Sequence, residues 1–231
     1  MAADVATASV PTSGVWRVAR ADNPLWAPTP KASALRSKAA GNRYDVPGLM
    51  TLYFSTTLVG CYTEVLAGMR PSPQLAELVE AEWQALNHLA PGQLSASWRH
   101  RRSEVRVKIS PQYSFLDVER TATLDLLDVE LRPALAAIGY KQLDFGLLHG
   151  PDRRVTQLIA RWASEALADP DDEEAGYRFA GIRYASRLDQ NEMCWAVWAD
   201  GLDLEEIERR AVERESVDLA NVSQRFKLRT F

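Results

Sequence analysis

Four short segments carry the side chains best suited to chemistry: Gly-Asn-Arg-Tyr at 41–44, Leu-Tyr-Phe-Ser at 52–55, Thr-Glu-Val-Leu at 63–66 and Gly-Ile-Arg-Tyr-Ala-Ser-Arg at 181–187. Arg43 offers a permanent charge and a planar fork of donors that matches phosphate oxygens better than a lysine would. Glu64 offers a carboxylate, which stabilises positive charge developing at a reacting carbon. Tyr53 combines a packing face with a hydroxyl that seeks a polar partner, and Tyr44 is a second aromatic of the same kind. The Ser186 hydroxyl both donates and accepts, and with no histidine base beside it in sequence it binds rather than attacks. Each residue also has an ordinary reading. Arg43 and Glu64 could be a surface ion pair, Tyr53 a core aromatic and Ser186 a turn cap.

Other chemistries lack their usual marks. The sequence has no G-x-G-x-x-G, no Walker-type glycine loop, no G-x-S-x-G and no H-E-x-x-H. His88, His100 and His149 are scattered and read as incidental. The cysteines are Cys61 and Cys194, without metal-ligand spacing, so no metal site and no disulfide framework is expected. Cys61 falls about one helical turn before Glu64 and so shares its side, where a packed small residue is its simplest role.

The elements that must position these side chains follow from periodicity. Val15 to Arg20 reads as a first strand, leading to a loop with Pro24, Pro28 and Pro30. Leu49 to Ser55 reads as a strand, and from Thr56 or Thr57 the spacing of Leu58, Tyr62, Val65 and Met69 is helical. Pro73 to Leu89 repeats a helical pattern. Glu104 to Ser110 alternates, with Val105, Val107 and Ile109 on one side and Glu104, Arg106 and Lys108 on the other. Thr121 to Leu126 suggests a strand, followed by a short helix ending near Gly139. Val155, Leu158, Ile159, Trp162 and Ala166 mark an amphipathic helix, and Asp169 to Glu174 a solvated acidic connection. Tyr177 to Ser186 and Met193 to Ala199 read as paired strands, the second apolar on both faces and therefore central. Asp203 with Glu206 resembles a capping box opening a final charged helix.

Strands and helices alternate without a βαβ rhythm, so a mixed α+β fold is expected. The 231 residues divide into a loose tail at 1–14, a main domain at 15–200 and a helical extension at 201–231. A net charge of −4 gives no footprint for nucleic acid, and Arg99-His100-Arg101-Arg102 reads as a solvated loop. Neither a signal peptide nor a window of transmembrane length is evident, and with so few cysteines a cytoplasmic setting is expected.

In order, the four segments resemble the RES-domain family, named for an Arg, a Glu and a Ser that by position are Arg43, Glu64 and Ser186. Trp16-Arg17-Val18 is similar to the family's opening strand, Pro47-Gly48 to its turn, Thr123-Leu-Asp-Leu126 to its mid-chain strand and Thr156-Gln-Leu-Ile159 to the helix before its serine strand. The resemblance implies an ADP-ribosyltransferase-like fold, with two small sheets around an NAD cleft and surrounding helices. It implies a toxin-like enzyme that cleaves the nicotinamide–ribose bond by phosphorolysis or hydrolysis, or transfers ADP-ribose to a protein. NAD is then a substrate, with inorganic phosphate as a co-substrate of the phosphorolytic form, and no cofactor is needed. Glu64 and Arg43 would be catalytic, and Arg43, Tyr53, Ser186, Tyr44 and Arg17 would bind NAD, with Arg187 a further phosphate contact. An Xre-type helix-turn-helix antitoxin would be the partner, with no direct nucleic-acid or membrane binding. The family usually has Gly-Gly-Arg-Trp where this chain has Gly-Asn-Arg-Tyr, and smaller residues at the positions of Cys61 and Tyr62. Those departures motivate an alternative, a non-catalytic module that binds a nucleotide or a protein.

Overall fold

The structure, a computed structural model, describes residues 5–35, 37–71, 92–169 and 172–231. The helical pattern at Pro73 to Leu89 lies outside the described residues. The chain runs through β1 (Thr7–Ala8), β2 (Val15–Arg20), β3 (Thr51–Ser55), α1 (Leu58–Leu66), β4 (Gln93–Leu94), α2 (Ala96–His100), β5 (Arg102–Ile109) and β6 (Phe115–Asp117). It continues with α3 (Thr121–Glu130), α4 (Arg132–Ala137), α5 (Phe145–Leu148), α6 (Arg153–Glu165), β7 (Leu167–Asp169), β8 (Asp172–Tyr177) and β9 (Gly181–Ala185). Then come β10 (Met193–Trp198), β11 (Leu204–Ala211), α7 (Val217–Arg225) and β12 (Arg229–Thr230).

The class is mixed α+β. Eight strands form one sheet in the order β1-β6-β9-β10-β3-β2-β5-β11, and β12–β4 and β7–β8 are separate pairs. The large sheet has a seam. β3 pairs with β10 along its whole length and β2 pairs with β5 along its whole length, yet β2 and β3 share the single register pair Trp16↔Ser55. The strands of the expected small sheets are therefore continuous at one point and splay apart beyond it.

Apolar packing explains the layers. In β10, Trp195 and Val197 pack with Leu52, Phe54, Val105 and Val107 on one face, while Cys194, Ala196 and Trp198 pack on the other with Leu124, Leu127, Leu148, Val155 and Ile159 from the helices. Fully burying each such large side chain stabilises the fold by roughly 1.5–3 kcal/mol. A third cluster joins Leu58, Cys61, Tyr62 and Leu66 of α1 to Leu219, Val222 and Phe226 at the far end of the chain.

Several sequence expectations change. The segment Thr121 to Leu126 is helix α3, because Leu124 and Leu127, with Leu131 and Leu135 beyond, continue one buried helical stripe that a six-residue window shows only as alternation. The residues before Gly14 are not all loose: Thr7–Ala8 adds an edge strand to β6, with Val5 and Val10 buried. Of the acidic run, Asp169 closes β7 and pairs with Asp172, which opens β8. The capping-box signal at Asp203 and Glu206 opens strand β11, which pairs along β5 and covers the sheet edge; tertiary pairing overrides a local cap. The last helix starts instead at Ser216, whose side chain accepts from Leu219 N. Glu104 is buried rather than outward, accepting from Tyr62 Oη and Arg210 Nε. Arg99 is buried too, donating to Phe231 O at 2.9 and 2.7 Å and to Val212 O at 3.1 Å, so the basic run is not a solvated loop.

Helix α1 leaves β3 through an N-cap at Thr57, whose side chain accepts from Gly60 N at 2.9 Å, a bond worth about 1 kcal/mol. Gly60 lets this first turn lie against the sheet. A Cβ there would stand 2.1 Å from Ser55 Oγ and 2.6 Å from Glu192 Oε2. Alanine's better helix propensity, about 1 kcal/mol, is smaller than the cost of parting those contacts. Gly60→Ala is therefore expected to destabilise the protein by about 1–2 kcal/mol net, seen as a lowered urea midpoint; an unchanged or raised midpoint would refute this account of the junction.

Candidate active site

The splay between β2 and β3 opens a cavity of ≈ 570 Å³. Its walls include Arg17, Asn42, Arg43, Tyr53, Cys61, Glu64, Arg153, Tyr184 and Arg187. Apolar lining comes from both flanking clusters, with Val18, Cys61 and Val65 on the α1 side and Tyr53, Tyr184 and Cys194 on the other. Sequence neighbours could not build this: the wall needs the end of β3, one face of α1, the loop before β3, the start of α6 and the end of β9.

Glu64 projects from α1 and is exposed to the cleft. Its Oε1 accepts a hydrogen bond of 2.6 Å from Ser186 Oγ. Ser186 is fully buried just beyond β9; its Oγ also accepts from Leu188 N at 3.1 Å, and its backbone N donates to Glu192 O at 2.8 Å. The hydroxyl proton is committed to the carboxylate, so Ser186 orients Glu64 from behind and does not line the cavity. It stands behind Glu64 rather than in the cavity wall.

Arg43 stands across from α1 on a loop pinned at several points. Its Nη2 donates to Leu148 O at 2.6 Å, and its guanidinium lies 5.5 Å from the Tyr44 ring centre and 5.7 Å from that of Tyr184. Its Nε is buried and makes no hydrogen bond among the described residues. Tyr53 Oη donates to Asp45 Oδ1 at 2.8 Å and accepts from Tyr44 N at 3.1 Å, tying the loop to β3. Gln157 Nε2 on α6 donates to Ala40 O at 2.8 Å and Asn42 O at 2.9 Å. Burial, then the nearby Asp45 carboxylate, pushes the Tyr53 phenol well above its usual range, so it stays a donor at any physiological pH.

Tyr44 is fully buried behind Arg43, its ring centre 4.6 Å from that of Tyr184. It supports the site without lining it, and the second aromatic in the wall is Tyr184. Tyr184 stands two residues before Ser186 in a segment already singled out, and that membership was its available signal. Arg153 had none. It opens α6, far along the chain from Arg43, and its Nη1 holds Ala39 O at 2.9 Å.

Arg17 occupies the seam itself. Its Nη1 donates to Tyr53 O at 3.1 Å, on the strand that β2 has left, and its Nε donates to Pro24 O at 2.9 Å. Burial lowers its affinity for its proton below the ordinary arginine value. Arg187 is lowered as well, first by partial burial and then by the charges of Arg43 and Arg153, with Glu64 opposing. The cavity thus gathers the cationic groups Arg17, Arg43, Arg153 and Arg187 against the carboxylate of Glu64. A cation-rich cleft with aromatic walls fits a phosphorylated ligand carrying a planar ring. Of the histidines, His149 Nε2 lies 3.2 Å from Glu119 Oε2, and His100 is exposed. His88 lies outside the described residues. No group of three or more His, Cys, Asp or Glu among the described residues could hold a metal ion.

A family model described as RES domain matches residues 14–219. No curated protein matches the sequence. Among solved structures, the chain is similar to the crystal structure of the M. tuberculosis MbcT–MbcA toxin–antitoxin complex, at 12% identity and a TM-score of 0.43, covering 96% of this chain and 92% of that one.

Cys61 lines the cavity but is inert by its environment. Its Sγ donates to Trp16 O at 3.0 Å, and burial pushes the thiol up to about 12. Only about one thiol in ten thousand is then ionised at pH 8. Iodoacetamide at pH 8 is expected to leave Cys61 unlabelled in the folded protein and to label it readily in denaturant; rapid native labelling read by mass spectrometry would overturn this.

Proposed function

The chain belongs to the RES domain family, and on that premise we propose that it is an NAD-degrading, toxin-like enzyme that breaks the nicotinamide–ribose bond in this cleft. The observation that carries the reading is a single oriented carboxylate, Glu64 on Ser186, facing a set of guanidinium groups within one cavity. The diphosphate lies against Arg43, with Arg17, Arg153 and Arg187 adding charge, and the Tyr53 and Tyr184 rings flank the nicotinamide riboside.

Bond cleavage builds positive charge on the ribose, and Glu64 stabilises that oxocarbenium-like state. The C1–N bond breaks with its electron pair moving onto the pyridinium nitrogen, so nicotinamide leaves neutral and no acid is needed to protonate it. This suits a site with one carboxylate rather than a glycosidase pair. An incoming oxygen then forms the new bond to C1. Phosphate is the acceptor that the charge distribution favours. The diphosphate of NAD, partly cancelled by its pyridinium, leaves the cationic walls incompletely balanced, and a phosphate dianion completes the balance. The family resemblance extends the proposal to a helix-turn-helix antitoxin as partner and to action in the cytoplasm. Among the described residues no helix is long and apolar enough to cross a membrane.

Purified protein is expected to consume NAD, with ADP-ribose phosphate as the product when phosphate is present. Free ADP-ribose would indicate water as acceptor, and label on protein an ADP-ribosyltransferase. Glu64→Gln should lower kcat by about 10²–10³-fold, and Ser186→Ala should lower kcat with little change in KM. Arg43→Lys should raise KM for NAD about tenfold. Undiminished NAD with and without phosphate would remove the proposal.

A further inference from the structure

The Glu64–Ser186 contact bridges two elements, helix α1 and the turn that joins β9 to β10. Two contacts hold the ends of that turn on α1: Ser186 Oγ to Glu64 at 2.6 Å and Thr57 Oγ1 to Glu192 Oε2 at 2.5 Å. Its middle is held from a third element. Arg225, in the last turn of α7, donates through Nη1 to Asp189 Oδ2 at 2.5 Å and through Nη2 to Thr63 Oγ1. Thr63 precedes Glu64 on α1, and Asp189 follows Ser186 by one turn of chain. Asp189 in turn organises the bend, its Oδ1 accepting from Asn191 N at 3.2 Å and its carbonyl accepting from Glu192 N at 2.9 Å. Thr63 is fully buried and donates to Val59 O at 2.7 Å, so its oxygen is a fixed acceptor. The contacts close a ring: Glu64, Ser186, the bend at Asp189, Arg225, Thr63 and back to Glu64.

Magnitudes separate geometry from stability here. Arg225 is 38% exposed and Asp189 22% exposed in their side chains, and an ion pair so placed contributes about 0–1 kcal/mol. The packing of Leu219, Val222 and Phe226 against α1 holds α7 in place without it. What the fork adds is direction, since a guanidinium constrains two acceptors in one plane. Arg225 also lies beyond residues 14–219, the stretch matched by the family model.

We propose that Arg225 is a positioning residue, a strap from the C-terminal helix that sets the angle and distance of the Glu64–Ser186 contact and so the aim of the reactive carboxylate. The inference rests on the reading of Glu64 as the group that acts on the sugar. It is tested in the full chain with Arg225→Ala and Arg225→Lys, alone and combined with Ser186→Ala. Hydrogen exchange of the peptide covering 186–192 reads the strap without any activity. Arg225→Ala should speed its exchange about fivefold, Arg225→Lys should do so less, and the melting temperature should hardly move. NAD consumption reads the consequence: kcat falls about tenfold in Arg225→Ala with KM nearly unchanged. In the Ser186→Ala background the same change should add less than about twofold, because both act through one contact. Unchanged exchange at 186–192 overturns the strap, whether or not the wild type consumes NAD. Faster exchange with unchanged kcat, or a full further loss on top of Ser186→Ala, overturns the positioning role. A wild type that exchanges as expected but spares NAD sinks the assigned reaction and with it the purpose of the strap.

Discussion

The parting of β2 from β3 after one residue pair is the constraint from which the rest of the molecule follows. A strand that leaves its neighbour exposes backbone groups that must find other partners, since an unpaired buried polar group costs about 1–3 kcal/mol. Arg17 answers that need by donating to the Tyr53 carbonyl from the strand that has moved away. The same side chain therefore closes the accounts of the sheet and puts a positive charge at the head of the cleft. A fully paired β2–β3 ladder would be a better sheet and would leave no room for a ligand.

Around that opening the polar groups are arranged in two tiers. Those in the wall face the cavity, among them Glu64, Arg43 and Arg187. Those behind it are buried and spend their hydrogen bonds on orientation: Ser186 on Glu64, Asp45 on Tyr53, and Gln157 on the loop that carries Arg43. Such a division follows from the burial of the supporting groups, because a buried polar group without a partner is costly while a bonded one is rigid. Crowding of like charges among the arginines works against stability, and a multiply charged anionic ligand would relieve it.

The C-terminal residues, from Leu204 onward, serve the same site by longer routes. Strand β11 covers the free edge of β5, helix α7 packs on α1, and the final carbonyl of Phe231 is gripped by Arg99. Their apolar contacts stabilise the helix from which Glu64 projects. Without the packing of α7, α1 would have one open face.

Periodicity in the sequence was enough to determine the strand-to-helix junction that carries Tyr53 and Glu64, the doubly buried β10, the amphipathic α6 and the mixed class, because each is set by residues within one or two turns. It was the resemblance of four ordered segments to the RES-domain family, not periodicity, that marked Arg43, Glu64 and Ser186 as belonging together. Local pattern failed at Thr121 and at Asp203, where a short window and a capping signal were outweighed by packing and strand pairing with distant residues. It also could not say which marked side chain faces the cavity and which stands behind it, as Tyr44 and Ser186 show, nor that Arg153 joins them. Those are matters of which surfaces are brought together in space, and they depend on the splayed seam of the sheet. No single stretch of sequence encodes that seam, since it arises from β2 and β3 each finding a better partner elsewhere.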